Sequence, residues 1–228
     1  MRKAARLKPT PPAVLQRMAL YHCMLNDWVL LGRNELVTSK ELADVLGVTD
    51  ATVRSDLSYL NDGPGTPGVG YNIDELRKLL GDFLALPTFA PIAFVGSAKT
   101  VTSIFNFFSA ERFGFVACAF FSEDPANKGA VINGHEVRPI DAIPMVLGDM
   151  EIKVEIVATQ PNWVQYSVDL LVKAGVKGLL ILTPSLDVKA PKDVKVLHFR
   201  IPCDLKMLFH HVSLIDEQES PPRLEQVL

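Results

Sequence analysis

The periodicity of the hydrophobic residues changes once along this chain of 228 residues. In the first part, apolar residues recur every three or four positions, which predicts amphipathic helices over residues 12–31, 38–47, 49–60 and 74–86. From residue 92 onward, short apolar runs alternate with helical segments, which is typical of a parallel sheet covered by helices on both faces. The pattern therefore predicts a helical domain followed by an α/β domain.

The two short helices are bounded by residues that start and stop helices. The first is predicted to be capped at Thr38 or Ser39 and to stop at Gly47, and the second to be capped at Thr49. Short amphipathic helices joined by a turn of this length are typical of a helix-turn-helix, although a plain helical hairpin has the same spacing. The positions predicted to face inward are Leu42, Ala43, Leu46, Val53 and Leu57.

Residues 61–71 are rich in glycine and proline and predict a β-hairpin, which would make the motif a winged helix. The tip has Thr66 and Pro67, whereas the wing tips of DNA-binding proteins are commonly basic. In this interpretation the second helix enters the major groove, and Lys40 and Arg54 are the cationic contacts. The remaining predicted DNA contacts are Thr49, Thr52, Ser55, Ser58, Tyr59, Gly65, Thr66, Gly68, Gly70 and Tyr71.

The α/β part opens with a buried strand, Gly96 and a helix that starts with small and hydroxyl residues. This order is typical of a mononucleotide-binding βαβ unit, in which a ligand phosphate lies over the helix N-terminus. Of the dinucleotide fingerprint G-x-G-x-x-G only Gly96 is present, because Ala98 and Val101 take the other two places. The other predicted segments are strands 115–121, 153–159, 178–182 and 194–199, a hairpin at 131–137, and helices 100–112, 163–174 and 203–213.

Ligands of open α/β sheets bind at the carboxyl ends of the strands, and this rule selects the candidate nucleotide site. Glu123 and Asp124 are candidates for holding ribose hydroxyls, although Asp124 is explained equally well as the cap of an Asp-Pro turn. Lys99 either pairs with a phosphate or is a solvated surface lysine. The predicted cofactor-binding residues are Gly96, Ser97, Ala98, Lys99, Thr100, Val101, Phe121, Ser122, Thr159, Pro161 and Pro184.

Composition narrows the function classes. The formal net charge is −3, but the arm before the first acidic residue, Asp27, is basic and either contacts a polyanion or is a solvated terminus. The three cysteines lack metal-ligand spacing, so we expect reduced thiols in a cytoplasmic protein and no metal site. No apolar run is long enough for a membrane span. Because no nucleophile elbow, Walker lysine motif or metal-binding helix is present, we expect no enzyme.

The last predicted helix repeats apolar residues at Leu205, Leu208, Phe209 and Val212. Because it follows the final strand, it packs either on its own sheet or on another subunit. The tail from Asp216 is predicted to be disordered. The predicted domains are residues 1–86 for the winged helix, 87–201 for a Rossmann-like sheet, 202–215 for the C-terminal helix and 216–228 for the tail.

This combination resembles the Rex family of redox-sensing transcriptional repressors. The resemblance implies a homodimer that exchanges the C-terminal helix, binds NADH or NAD in the second domain, and releases operator DNA when NADH rises. The matching segments are Ser39-Lys40-Glu41-Leu42-Ala43, Val53-Arg54, Asp56-Leu57-Ser58-Tyr59, Gly68-Val69-Gly70-Tyr71-Asn72, Asp124-Pro125, Ala174-Gly175-Val176-Lys177-Gly178 and Asp204.

The chain also departs from the family pattern. Thr52 and Ser55 flank Arg54 where the family usually has Gln and Lys, and the wing lacks the Lys-Arg pair. Ser122 stands where the family has its ribose-binding aspartate. The resemblance implies that Asp204 belongs to an interdomain switch, whose arginine and tyrosine places are taken here by Cys23 and Phe107.

Three hypotheses follow from these observations. The first is a cytoplasmic, homodimeric Rex-like repressor, a divergent member or paralogue whose binding to a double-stranded operator is controlled by NADH and NAD. The second keeps the fold but gives the pocket an adenine nucleotide, coenzyme A or no ligand. The third is an NAD-dependent oxidoreductase. The lack of an identifiable proton donor at the strand ends argues against this hypothesis.

Overall fold

The structure is a computed structural model that describes residues 10–33, 35–60, 65–66, 68–108, 110–184 and 187–219. The basic arm ahead of residue 10, on which a polyanion contact was predicted, therefore lies outside the described residues, as does Pro67 of the wing. The chain divides into two compact units between Ala90 and Pro91. Each unit is described by itself.

The described residues of the first unit form four helices and a short antiparallel sheet. Helix α1 and strand β1 come first, the α2–α3 pair follows, and strand β2 pairs with β1 before the chain enters α4. A helix-turn-helix followed by a strand that pairs back onto the unit is the order predicted for a winged helix. The elements are α1 (Pro12–Leu30), β1 (Leu36–Val37), α2 (Ser39–Leu46), α3 (Asp50–Leu57), β2 (Tyr71–Asn72) and α4 (Ile73–Phe83).

Local side-chain caps explain where the two short helices begin. Thr38 Oγ1 accepts a hydrogen bond from the Glu41 amide at 3.2 Å, while Glu41 Oε2 accepts one from the Thr38 amide at 2.8 Å. Thr49 Oγ1 accepts from the Thr52 amide at 3.1 Å, and Gly47 follows the end of α2. The caps at Thr38 and Thr49 are therefore confirmed. The predicted inward residues are buried, except that Leu46 is half-buried against the same cluster.

A buried ionic network joins α3 to α1. Asp56 is 2% exposed and accepts two hydrogen bonds from the Arg17 guanidinium, at 2.6 and 2.7 Å, and a third from the Tyr21 hydroxyl at 2.9 Å. Burial, and next the hydrogen bond to Asp56, raise the pKa of Tyr21, so the phenol stays a donor. The network fixes the inner face of α3 and leaves its opposite face outward.

The second unit is a parallel sheet with helices between its strands. The strand order is β5-β6-β4-β3-β7-β8-β9, with β5 antiparallel to β6 at one edge. Without β5, the order is that of the Rossmann fold, 3-2-1-4-5-6. The elements are β3 (Ala90–Gly96), α5 (Ala98–Phe108), β4 (Phe115–Ser122), β5 (Val131–Ile132), β6 (His135–Pro139), α6 (Ile143–Leu147), β7 (Val154–Ala158), α7 (Val164–Lys173), β8 (Gly178–Ile181), β9 (Lys195–His198) and α8 (Ile201–Glu219).

Several predicted boundaries need correction. Helix α5 ends at Phe108, and a separate 3-10 turn over Ala110–Phe113 takes the place of its predicted last turn. Helix α8 begins at Ile201 and continues to Glu219, so the segment from Asp216 predicted to be disordered is helical as far as the description reaches; residues 220–228 lie outside it. Helix α6 was not predicted. The hairpin at the Asn133-Gly134 turn is confirmed, with φ angles of 48° and 78°.

The second unit buries one carboxyl group without compensation. Glu155 on β7 is fully buried, and neither of its side-chain oxygens has a hydrogen-bond partner among the described residues. Burial raises the pKa of Glu155 well above its usual value of 4.5, so the folded chain holds it protonated. The unfolded chain ionises this group from about pH 4.5 upward, and Glu155 therefore lowers the free energy of unfolding progressively as the pH rises above that value.

Replacing Glu155 by methionine is expected to raise the free energy of unfolding by about 1–3 kcal/mol at pH 7.5, because burying a polar group without a hydrogen-bond partner costs about that much. The gain in the free energy of unfolding is expected to be smaller at pH 5. At that pH, ionisation of Glu155 stabilises the unfolded wild-type chain less than it does at pH 7.5. Urea denaturation at both pH values measures it, with Glu136→Met on the exposed face of β6 as the control. An equal gain at both pH values would contradict this account.

Candidate functional site

The outer face of α3 is polar, and its inner face is apolar and anchored. Arg54, Ser55 and Ser58 are exposed, whereas Val53 and Leu57 are buried on the opposite side. An α-helix fits the major groove of B-DNA, where side chains of these types contact base edges and phosphates. The structure therefore places Arg54, Ser55 and Ser58 together on one exposed face of α3.

The polar groups around Arg54 are already arranged by local contacts. Arg54 pairs with Asp50 one turn earlier on α3. The Thr49 and Thr52 hydroxyls are 2.7 Å apart within the cap. The Ser58 hydroxyl donates to the Ser55 carbonyl at 2.6 Å.

The other predicted contacts in the helical part differ in exposure. Lys40 on α2 is exposed. Tyr59 is half-buried and packs against the core of the unit, so part of its ring serves the fold. Lys40 and Arg54 are thus the predicted cations whose side chains the structure leaves outward.

The wing is held by a backbone bridge between Thr66 and Gly70. Each accepts the amide of the other, at 3.1 and 3.2 Å. Gly70 has φ = 111°, and a Cβ there would lie 2.6 Å from the Val37 carbonyl oxygen, so this position requires glycine. Gly65 and Gly68 are exposed and Tyr71 is half-buried. The described wing residues, 65–66 and 68–71, carry no charged side chain.

A cavity of about 800 Å³ lies in the second unit at the carboxyl ends of β3, β7 and β8. It occupies the switch point between β3 and β7, where ligands of open α/β sheets bind, and its volume falls within the range of about 300–1,000 Å³ typical of cofactor sites. The lining residues are Ser97, Thr100, Ser103, Ile104, Phe107, Glu123, Ile156, Ala158, Thr159, Gln160, Pro161, Leu180, Leu182, Thr183, Pro184, Phe199 and Ile201.

Side-chain oxygens accept hydrogen bonds from backbone amides at the N-terminus of α5. The Ala98 amide donates to Asn127 Oδ1 at 2.8 Å, and the Thr100 amide donates to Ser97 Oγ at 3.2 Å. These amides are the groups that bind phosphate in nucleotide folds, so a bound phosphate would replace at least one of these oxygens. Lys99 is exposed on the same turn.

One carboxyl group lies in the cavity wall. Glu123 is 8% exposed, and its Oε1 accepts the Gln160 amide at 3.2 Å. Its Oε2 is buried and has no hydrogen-bond partner among the described residues, and the same holds for Thr159 Oγ1. Unsatisfied polar atoms are rare in protein interiors, and their presence in one cavity wall is consistent with a ligand site.

The predicted cofactor residues fall into two groups. Ser97, Thr100, Thr159, Pro161 and Pro184 line the cavity, and Gly96, Ala98 and Lys99 form or flank its turn. The side chains of Val101 and Phe121 are buried in the core, and Ser122 Oγ accepts the Asp124 amide at 3.1 Å.

Gly96 is needed for a close approach between strands. A Cβ at this position would lie 2.7 Å from the Ala158 carbonyl oxygen on β7 and 3.2 Å from Val101 Cγ2. The glycine that survives from the fingerprint therefore serves the packing of β3 against β7 and α5. It gives no separate information about the ligand.

Much of the apolar wall was missed by the sequence-based site. Ile156 and Leu180 lie on strands and Leu182 follows β8. Phe199 follows β9, and Ile201 is the first residue of α8. The alternation of side chains along a strand was the available signal for part of it, because Ile156 shares a face with Ala158 and Leu180 with Leu182. The contact of Asn127 with the Ala98 amide had no sequence signal.

Helix α8 leaves its side chains exposed throughout residues 201–214, including the predicted switch residue Asp204. Its apolar residues are among them, and Phe209 is 76% exposed. The sequence left open whether this helix packs on its own sheet or on another subunit. Because its side chains are exposed, α8 does not pack on its own sheet in this structure.

The described residues contain no group of three histidine, cysteine, aspartate or glutamate side chains that could hold a metal ion. Among the same residues, no helix combines the length and the apolar character needed to cross a membrane.

Comparison with known proteins adds the family. Residues 10–58 match the family described as "Putative DNA-binding protein N-terminus", and residues 90–185 match the family described as "CoA binding domain". The redox-sensing transcriptional repressor Rex of Streptomyces griseus subsp. griseus is 30% identical over 230 residues, covering 97% of this chain and 89% of that protein. Rex of Roseiflexus sp. is 32% identical over 181 residues, covering 79% and 81%.

A solved structure agrees over nearly the whole chain. The Rex-family repressor RSP in complex with β-NAD+ and operator DNA aligns with a TM-score of 0.79 and 26% identity, covering 94% of this chain and 100% of that one. The RSP complex with β-NADH gives a TM-score of 0.78 and 25% identity, covering 93% and 100%. Since relatives at least 30% identical are matched over most of their length, the chain belongs to the Rex family of redox-sensing transcriptional repressors.

Proposed function

We propose that this chain is a transcriptional repressor that binds operator DNA through α3 and the wing, and that NADH or NAD in the cavity of the second unit sets its DNA affinity. The observation that carries the proposal is the cavity of about 800 Å³ at the switch point of a Rossmann-order sheet, on a chain that also bears a winged helix. A regulator, and not an enzyme, is also what the names of the relatives support, because they are named as transcriptional repressors.

Among the described residues, the predicted DNA contacts include two cations. Lys40 and Arg54 are exposed, and the described wing residues are uncharged. Each cation that neutralises a phosphate adds about 0.9 to the slope of log affinity against log salt concentration. We therefore expect the described part of the interface to contribute a shallow salt dependence and to draw its contacts mainly from α3.

The cavity fits a dinucleotide through several of its own residues. The apolar wall offers Ile104, Phe107 and Ile156 to planar rings, and the α5 N-terminus with Lys99 offers amides and a cation to the pyrophosphate. A pyrophosphate bound there would displace at least one of the side-chain oxygens that now accept from these amides, Asn127 Oδ1 or Ser97 Oγ. The bound cofactor supplies a ring whose charge differs between its oxidised and reduced forms.

A second ligand class has support of its own. Residues 90–185 match the family of coenzyme A-binding domains, and Ala98 and Ser122 replace two residues expected for a dinucleotide. Calorimetry of the purified protein with NADH, NAD+, ATP and coenzyme A separates the two. Binding of NADH or NAD+ in the micromolar range supports redox control, whereas binding of only ATP or coenzyme A assigns the pocket to another nucleotide.

We also propose that α8 packs against a second copy of the chain. Its apolar residues 205, 208, 209 and 212 share one face and are exposed, and an apolar face of this kind is stable in water only when it is covered.

Phe209→Asp is expected to convert the dimer to monomer, because it places a charge at the centre of the apolar face of α8. Sedimentation velocity at micromolar concentration measures the change. His210→Asp is the matched control, since its side chain points about 100° away on the helix. A wild-type chain that sediments as a monomer would contradict the proposed dimer.

A further inference from the structure

The cavity wall carries one fixed charge. Of the described residues that line the cavity, Glu123 is the only one with a charged side chain, and the others are apolar residues, hydroxyl residues and Gln160. Glu123 is 8% exposed, and its Oε2 is buried without a hydrogen-bond partner among the described residues.

The carboxylate of Glu123 is held by its own segment after β4 and by one backbone amide after β7. Glu123 follows the end of β4, and its Oε1 accepts the amide of Gln160, which follows β7. In the sheet, β3 lies between β4 and β7. The hydrogen bond between Glu123 and Gln160 therefore connects the segments on either side of the carboxyl end of β3. A charge held beside apolar walls acts over a longer distance than the same charge in water.

The two redox forms of the proposed ligand differ in charge, and the carboxylate of Glu123 interacts with them differently for that reason. The nicotinamide ring carries one positive charge in NAD+ and none in NADH, while the phosphates and sugars are the same in both. Repulsion between Glu123 and the pyrophosphate therefore cancels when the two affinities are compared. A negative charge anywhere in the wall favours NAD+ over NADH, and the sign does not depend on how the ligand lies in the cavity.

We propose that Glu123 is a specificity-determining residue that shifts the cavity toward the oxidised cofactor. The inference rests on the proposed function, because it presumes that the cavity takes NAD(H). Its consequence is regulatory: a higher ratio of NADH to NAD+ is needed to fill the cavity with NADH, so the repressor responds only in a more reduced cell.

The test is the ratio of the dissociation constants for NAD+ and NADH in the wild type and in Glu123→Gln. Glutamine keeps an oxygen for the Gln160 amide and removes only the charge. Unit charges interact more strongly in surroundings with an effective dielectric constant of about 20 than in water, and we expect the loss of this interaction to change the ratio about 10-fold. We therefore expect the ratio of the NAD+ to the NADH dissociation constant to rise by about that factor, measured by calorimetry.

Two controls accompany this measurement. Glu136→Gln removes a charge from the exposed surface of β6 and is expected to leave the ratio unchanged. Glu123→Asp keeps the charge and is expected to hold the ratio near the wild-type value, which keeps the test decisive if Glu123→Gln folds poorly.

The outcomes separate the inference from the proposed function. If both cofactors bind the wild type and the ratio is the same in Glu123→Gln, the inference is wrong while the proposed function stands. If the ratio falls, the inference is also wrong, because the carboxylate then favours NADH. If neither cofactor binds the wild type at millimolar concentration, the proposed ligand is wrong and the inference is overturned with it.

Discussion

Arg54→Ala is expected to weaken the binding of duplex DNA about 10- to 100-fold. Arg54 is an exposed cation on the outward face of α3, and a good arginine contact with a base is worth about 1–3 kcal/mol. The substitution also removes the ion pair with Asp50, but an exposed pair of this kind contributes little to stability. Fluorescence anisotropy with a labelled duplex, selected by the wild-type chain from a random library, measures the loss.

Arg138→Ala is the matched control for Arg54. It removes the same side chain from an exposed position on β6, in the second unit, and is expected to leave DNA affinity within about twofold. If Arg54 contacts a phosphate and not a base, the loss is uniform across DNA sequences and the salt slope falls by about 1. Equal affinity of the Arg54→Ala and wild-type chains would exclude this face of α3 from the interface.

Asp56→Ala is expected to lower the free energy of unfolding of the first unit by about 3 kcal/mol. Asp56 is buried and joins α3 to α1 through three hydrogen bonds from Arg17 and Tyr21. Removing one partner of a buried ion pair costs about 3–5 kcal/mol, and the lower end applies because the Arg17 side chain is 26% exposed. Urea denaturation followed by Trp28 fluorescence in a Trp163→Phe background measures the first unit.

Asp74→Ala is the control for this network. Asp74 pairs with Arg77 at 3.4 Å on the surface of α4, where an ion pair is worth less than about 1 kcal/mol. The Asp56 variant is also expected to bind DNA more weakly at temperatures where it is still folded, because α3 loses its attachment to α1. An Asp56 variant as stable as the Asp74 variant would show that the network does not hold α3.

The helix caps and the sheet could be predicted because their signals are local. Thr38, Gly47 and Thr49 mark helix ends through bonds to residues three or four positions away, and the strands follow from short apolar runs. The role of Asp56 did not follow from any single pattern, because charged residues are normally exposed. Its spacing from Val53 and Leu57, three positions and one, placed it on the inner face, and that signal was available.

The sequence predicted the turn and the strand ends that border the candidate site, but it did not predict most of the apolar residues that line the cavity. The turn at Ser97 and the strand ends at Thr159 and Pro184 follow from the rule that ligands bind at the carboxyl ends of parallel strands. The apolar wall comes from segments distant in sequence, including Phe199 and Ile201, which meet only once the sheet is formed. The continuation of α8 past residue 216 could not be predicted, because the polar segment there carries no periodic apolar signal.

DNA anisotropy during titration with NADH and, in parallel, with NAD+ measures directly whether the cofactor controls DNA binding. We expect NADH to release the selected duplex from the wild-type protein at micromolar concentration, and an excess of NAD+ to restore binding by competing for the cavity. A protein that binds the duplex with the same affinity at every concentration of either cofactor would contradict control of DNA binding by the NADH and NAD+ state.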